Sequence, residues 1–469
     1  MPGLHTVEKI GGTSMSRFGD VMKNVIVGRR KPADLYNRIF VVSAYSNITN
    51  LLLENKKSGE PGVYGCFAQD SQEWLDAMEK VRTAMLDYNK SFECVGLDVK
   101  KADEFINKRL DGIAYCMKDL LSLRSFGHFK PADYLPATRE FLAAVGEAHS
   151  AYNSAEILNA NGISSTFVDL TGWQSPAVQS LDQAILAGFK GIDFAKTLPV
   201  VTGYVKFDQG IMRHYDRGYS EITFSKIATL TDAREGIIHK EFHLSTGDPK
   251  LIGESKVKVI GHTNFDIADQ LSDMGMEAIH AKAAKGMELQ NIPIRVKNAF
   301  DPEHPGTLIS REYVAPTPRV DMICGRGDLL GIEVHDPEMV GEAGYDCKLM
   351  AHLEKFDISY ITKTTNANTI THYVPEKSKG IDKCIESIKA AFPNAVIDTD
   401  KVSVVSVIGS NMKIPGFLFR AAKALFDANI NVLALDQTMR QVNIQFILER
   451  SKFKEAQVVL HREFVEKEA

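Results

Sequence analysis

No stretch of the 469 residues approaches the ~18 consecutive apolar positions that cross a bilayer, and the N-terminus lacks the apolar core of a secretory signal. A membrane protein is thereby excluded and a cytoplasmic location expected. Cysteine is scarce: the six residues Cys66, Cys94, Cys116, Cys324, Cys347 and Cys384 include no C-x-x-C pair. That excludes a disulfide framework or a zinc ribbon and leaves reduced packing residues. Basic blocks are missing too, and a formal charge of −5 gives no electrostatic footprint for nucleic acid. No G-x-x-x-x-G-K-[ST] and no H-R-D or D-F-G occurs, so neither a Walker-type phosphate loop nor a protein kinase is present. What remains is 44% apolar and 25% charged, the profile of a soluble globular protein, in a chain long enough for about two to four domains.

The densest chemistry lies at the start. Thr6 to Ile10 reads as a strand, Gly11-Gly12-Thr13-Ser14 as a turn, and Met15 to Val27 as a helix. Lys9 at the strand end, two glycines and hydroxyls at a helix start surround one small space with backbone N–H groups, the positive helix end and an ammonium. Such a space suits a phosphate. An ordinary strand-to-helix turn is the alternative, and Lys9, Thr13 and Ser14 argue against it.

Arg38 to Ala44 reads as a buried strand that empties into Ser43-Ala44-Tyr45-Ser46-Asn47-Ile48-Thr49-Asn50, at the end of an open α/β sheet where ligands bind; a capped strand-to-helix junction is the alternative. Ile163 to Leu170 and Thr197 to Val205 are further strands. Ahead of these two strands, from about Ser71 to Leu123 and again from about Arg139, the period turns helical. The stripes Trp74, Met78, Val81, Met85 and Ile106, Leu110, Ile113, Met117 are core packing. Alternating strands and helices predict a mainly parallel sheet with helices on both faces.

Asp216-Arg217-Gly218-Tyr219-Ser220-Glu221 then precedes a helix over Ile222 to Ala228. An arginine there can grip a carboxylate with both prongs; an exposed Arg–Asp surface pair is the alternative. His239 and His243 invite a zinc reading, but Lys240 stands where H-E-x-x-H needs glutamate and there is no clear third ligand, so no metal site is expected. Past the turn-rich Asp301 to Gly306 lies an internal repeat, offset by about 72 residues. Leu329 to Val334, a helix over Glu342 to Lys355, Ile358 to Thr364 and Thr369 to Val374 form one β-α-β-β unit. Val402 to Val407, a helix over Gly416 to Ala428, Ile430 to Leu435 and Val442 to Leu448 form the next, closed by a helix near Lys454 to Arg462.

Several of these stretches resemble one family. Lys9-Ile10-Gly11-Gly12-Thr13-Ser14 resembles the K-F-G-G-T-S opening of the amino-acid kinase superfamily, most closely the aspartokinases. Ser43 to Asn50 is similar to their V-S-A-x-S-x-x-T-N, Gly146-Glu147 to their G-E pair, and Arg217 to Glu221 to R-G-G-S-D, with Tyr219 for glycine and Glu221 for aspartate. Thr231-Asp232 resembles the T-D that opens the family's nucleotide segment, and Asp248-Pro249 the D-P that closes it. Gly275 to Ala283 matches a segment in which Glu277 replaces a frequent nucleotide-contacting lysine, and Ile292 to Asn298 matches the last core strand.

The resemblance implies an α/β kinase domain over residues 1–300, a linker over 301–326 whose Thr307 to Val314 supplies an extra strand to the second repeat, and two ferredoxin-like α+β ACT domains over 327–395 and 396–469. It implies ATP, with magnesium carried by the nucleotide, and L-aspartate phosphorylated on its β-carboxylate. Lys9 and the Gly11 and Gly12 amides are assigned to the transferred phosphate, with Thr13, Ser14, Thr231 and Asp232 at the nucleotide. Glu221 orients Lys9, Arg217 holds the substrate carboxylate, Glu147 its ammonium, and Ser43, Thr49 and Ser220 are hydroxyl contacts. An amino-acid effector is expected near Asn411, Met412, Pro415 and Gly416, in a homodimer or larger assembly. The altered Asp216 to Glu221 and Lys240 to Pro249 segments resemble the aspartokinases of ectoine synthesis. An amino-acid kinase acting on another substrate, such as glutamate, and an amino-acid sensor with an inactive kinase domain stay open as alternatives.

Overall fold

The structure is a computed structural model and describes residues 3–56, 58–215, 218–276 and 279–467. The chain divides into two compact units, Met1–His243 with Ile279–Arg311 and Leu244–Ala278 with Glu312–Ala469.

The first unit is built on a sheet whose strands are β1 (Thr6–Ile10), β2 (Arg38–Val42), β3 (Ser165–Val168), β4 (Leu198–Thr202) and β5 (Glu235–Lys240), joined after the short β6 (His262–Asn264) of the other unit by β7 (Ile294–Asn298) and β8 (Thr307–Ser310). Within this unit the order is β3-β4-β2-β1-β5-β7-β8. The pairs from β3 to β7 are parallel, as the alternation of strands and helices predicts. Every residue of β1, β2 and β4 is buried, which is what helices on both faces require of central strands. β1 is therefore flanked by β2 and β5, and their carboxyl ends open on a common edge.

Helices Trp74–Ser91 and Val99–Arg124 bury the two apolar stripes read from the sequence. Helix Pro131–Ala160 buries a small-residue run around Ala143, Ala144, Gly146 and Ala148; a Cβ at Gly146 would meet that of Ala44 at 2.7 Å. This close approach carries Glu147 into the interior.

Two expectations fail in this unit. The helix expected from Met15 to Val27 is broken into Gly12–Met15, Phe18–Val21 and a wider π turn over Met22–Val27. The break falls at Arg17, whose φ of −119° and ψ of 46° leave the helical range, and the stretch still ends at Val27 as expected, where the Arg38 guanidinium donates to the carbonyls of Ile26 and Val25, each at 2.8 Å. The strand expected to serve the second repeat, Thr307 to Val314, instead supplies β8, antiparallel to β7 with Ile309 opposite Ile294.

The second unit carries β9 (Arg319–His335), β10 (Thr362–Thr365), β11 (Thr369–Pro375), β12 (Val396–Ser410), β13 (Val432–Asp436) and β14 (Asn443–Glu449) in one sheet, ordered β10-β11-β9-β12-β14-β13. All these pairs are antiparallel. The repeat appears as two modules, one core around Ile332, Leu349, Val374 and Ile388, the other around Val405, Phe417, Leu425 and Phe446. The first half of β9 pairs with β12 (Met322 opposite Ile408), and so fills the place for which Thr307 to Val314 was expected. Leu244–Ala278 belongs to this unit rather than to the first 300 residues as a block: the Ile323 N–H donates to the Thr246 carbonyl at 2.9 Å, and Asn443 donates to Gln270 at 2.6 Å.

Candidate active site

Three carboxyl ends meet at the edge above β1. Lys9, next to last in β1, is buried, and its Nζ lies 3.3 Å from Glu221 Oε1. Glu221 stands in the first turn of helix Tyr219–Leu230, and its other oxygen accepts the His280 N–H at 2.5 Å. Burial opposes its charge, but Lys9 foremost, then Lys240 and the His280 N–H, outweigh it and hold the carboxyl below its ordinary value. Glu221 is thus an anion held between Lys9 and the His280 N–H.

After Lys9 the chain turns through Gly11 into the helix at Gly12. A Cβ at Gly12 would lie 2.5 Å from the Ala44 carbonyl oxygen, so only glycine lets this loop pack on the end of β2. The first N–H groups of the helix have no intrahelical acceptor. Ser14 directs both its N–H and its hydroxyl to Glu241 Oε1, each at 2.9 Å. A side-chain carboxylate therefore occupies part of the anion seat that the loop builds. Thr13 is exposed beside it.

On the other side of Lys9, Glu147 is 2% exposed. Burial drives its carboxyl well above the ordinary range, against the pull of Lys9, the Tyr219 hydroxyl and the Tyr204 N–H. Its Oε2 has no hydrogen-bond partner among the described residues. A buried carboxylate with an open lone pair is costly unless a donor arrives, and an ammonium is such a donor. Ser43 and Ser220 lie near, their hydroxyls 3.4 Å apart, and Ser150 donates to the Ser43 carbonyl at 2.9 Å. Gly203 completes the wall, where a Cβ would meet Ser220 Cβ at 2.7 Å and Glu147 Oε1 at 3.1 Å.

Lys9, Gly11, Gly12, Ser14, Ser43, Glu147, Ser220 and Glu221 are thus gathered on one edge. Thr49 lies in the helix Ile48–Leu52 beyond β2, with no hydrogen bond from its side chain to this cluster. Arg217 and its neighbour Asp216 lie outside the described residues, as do Glu277 and Ala278. Thr231 and Asp232 require a correction. Helix Tyr219–Leu230 runs antiparallel to the strands, so they sit at the amino ends of β1 and β5: Thr231 Oγ1 lies 2.8 Å from His5 Nε2, and the Gly3 N–H donates to the Asp232 carbonyl. The length of a strand separates them from Lys9. Asn411, Met412, Pro415 and Gly416 form the loop from β12 to helix Phe417–Asp427, with Met412 buried in the second module's core.

A model of the amino acid kinase family matches residues 5–298, more than half of the chain. The chain belongs to the amino acid kinase family. An ACT domain model matches residues 405–464 as well. This family member is 47% identical over 467 residues to the aspartate kinase Ask_Ect of Stutzerimonas stutzeri, covering 99% of this chain and 98% of that one. To chloroplastic aspartokinase 3 of Arabidopsis thaliana it is 25% identical, over 99% of this chain and 82% of the relative. Its fold matches crystalline E. coli aspartokinase III in complex with aspartate and ADP, with a TM-score of 0.72, 19% identity and coverage of 98% and 99%.

Residues not anticipated in this family member's site are Lys240, Glu241 and His280. The strand ending Gly236-Ile237-Ile238-His239-Lys240 carries the same signal as β1, a cation at the carboxyl end of an apolar run. His239 and His243 engage separate carboxylates, His239 Nε2 lying 2.8 Å from Glu8 and His243 Nε2 2.9 Å from Asp301. No group of three or more His, Cys, Asp or Glu positioned for a metal occurs among the described residues, and no helix among them is long and apolar enough to cross a membrane.

Proposed function

We propose that this family member is an aspartate kinase, transferring the γ-phosphoryl group of ATP to the β-carboxylate of L-aspartate. The observation that carries the reading is the buried, half-unpartnered Glu147 beside Lys9, in a chain similar over its whole length to an aspartate kinase. A β-carboxylate is ionised at neutral pH, so its oxygen attacks without a general base. An O–P bond forms to the γ-phosphorus, the bond to the β–γ bridging oxygen breaks, and ADP leaves. The protein's work is to align two anions and offset their charge.

Lys9, held by Glu221, meets the transferred group; the N–H groups of Gly12, Thr13 and Ser14 donate to phosphate oxygens, whereas the Gly11 N–H, also expected there, is taken by the His239 carbonyl at 3.4 Å; Glu147 takes the substrate ammonium, and Arg217 its carboxylate. Lys240, near Glu221, adds a second cation. Magnesium fits as an ion carried by the nucleotide, with Glu241 the carboxylate beside the loop that would meet it; bound, it offsets phosphate charge. An amino-acid effector at the Asn411 to Gly416 loop and a dimer or larger assembly belong to the same reading. The assembly is supported by Phe419 and Phe426, 70% and 79% exposed on one helix of the second module. The altered Tyr219 and Glu221 and the likeness to Ask_Ect favour ectoine synthesis as the pathway served.

Coupled measurement of ADP release with ATP, magnesium and aspartate or glutamate tests the proposal. Turnover with aspartate is expected. Turnover with glutamate alone makes the protein a different amino-acid kinase, and aspartate binding without turnover makes it a sensor.

A further inference from the structure

The face of the sheet turned away from Lys9 carries a second concentration of charge. Side chains alternate along a strand, so Glu8 faces opposite to Lys9. The register sets Glu8 beside Ile237, Ile237 beside Arg295, and His239 beside Lys297, on that same face. Glu8, His239 and Ile237 floor an open cleft of about 630 Å³, walled by Lys23, Arg29 and Arg30 on one side and Arg295 and Lys297 on the other.

The carboxylates here are already taken. Glu8 is gripped by Arg38 at 2.6 and 3.0 Å and by His239 at 2.8 Å. Glu303 pairs with Arg29 at 3.0 Å, and Glu235 with Arg295 at 2.7 Å. Lys23, Arg30 and Lys297 have no ion-pair partner among the described residues. Arg30 donates to the Val25 carbonyl at 2.8 Å and Lys297 to the Pro302 carbonyl at 3.3 Å, both uncharged acceptors. Lys297 is half-buried; burial, then the nearby Arg30, holds its ammonium below the ordinary lysine value. Cations crowded around a concavity oppose folding unless something anionic joins them.

We propose that this cleft is a non-catalytic binding site for a small molecule bearing phosphoryl groups. Its donors converge from two opposed walls, Lys23, Arg29 and Arg30 on one side and Arg295 and Lys297 of β7 on the other, which suits a tetrahedral group accepting in several directions better than a carboxylate accepting in one plane. The site lies against β1, β5 and β7, on the opposite face from Lys9 and independent of what the kinase site phosphorylates.

The test is calorimetric titration of inorganic pyrophosphate, without magnesium, into the full chain and its variants. Binding at the cleft is expected to persist in Lys9→Ala, which disarms the catalytic loop, and to weaken at least about tenfold in Arg30→Gln/Lys297→Gln. The exposed Lys23→Gln is expected to weaken it about threefold, and keeps the test decisive if the double variant does not fold. Without pyrophosphate the double variant should melt no lower than the parent, since like charges have been removed. Pyrophosphate binding that is absent, that vanishes in Lys9→Ala, or that is unchanged in both cleft variants would overturn the proposal. Citrate binding as tightly as pyrophosphate would overturn the phosphoryl preference.

Discussion

Glu221 holds two parts of the site with one carboxylate: Oε1 lies 3.3 Å from Lys9 Nζ, and Oε2 accepts the His280 N–H at 2.5 Å. Its side-chain length is matched to both. Glu221→Asp withdraws the carboxylate by one methylene and must loosen one contact, so turnover should fall about tenfold, a barrier change of ~1.4 kcal/mol. Steady-state kinetics of the purified variant check this, and wild-type turnover would show that Lys9 needs no such aim.

In the proposed reaction Lys9 meets charge that grows during transfer. Lys9→Ala should lose at least about a hundredfold in turnover with aspartate KM little changed, because a group of this kind is commonly worth ~3 kcal/mol in the barrier. An effect confined to KM would assign Lys9 to ground-state binding instead.

Glu147 makes a prediction with a sign. Burial raises its carboxyl well above 4.5, so the folded protein binds that proton more tightly than the unfolded chain does. Its contribution favours the fold below pH 4.5 and is lost as the pH rises through the raised value. Glu147→Gln, which copies the protonated form, should melt above the parent at about pH 8, with the gap closing toward acid. The same change should raise aspartate KM more than about tenfold, since a charged hydrogen bond to the substrate is lost. In the parent, aspartate should bind more tightly as the pH rises, because its ammonium takes the place of the proton. A melting gap independent of pH would contradict this account.

Glu241 sits on Ser14 where a phosphate is expected. In the absence of magnesium, Glu241→Gln should bind ADP about fivefold more tightly, the effect of removing ~1 kcal/mol of like-charge opposition. Weaker ADP binding in that variant would make Glu241 a partner of the nucleotide rather than its competitor.

The sheet and the Lys9 loop were legible because their signals are local. Apolar runs, Gly11-Gly12 and the 3.6-residue stripes each lie within a few residues. Thr231 and Asp232 were misread because their place depends on where the preceding helix ends: it runs to Leu230, and its direction carries them to the far end of β5. Glu241 was missed because its partner, Ser14, is distant in sequence and meets it only through the pairing of β1 with β5. Thr307 to Ser310 is β-prone by composition, but composition does not choose between the edge of β7 and the second module. The polar row Arg38, Glu8 and His239 was hidden for a similar reason, since each reads as an isolated charge until three strands align.

The most direct measurement traps the product. Hydroxylamine added to the protein with ATP, magnesium and an acidic amino acid converts an acyl phosphate to a hydroxamate that can be identified by mass. Aspartyl β-hydroxamate with aspartate, its loss in Lys9→Ala and no hydroxamate with glutamate are the predicted results; no hydroxamate with aspartate under conditions where the protein is folded and binds ATP would contradict the account.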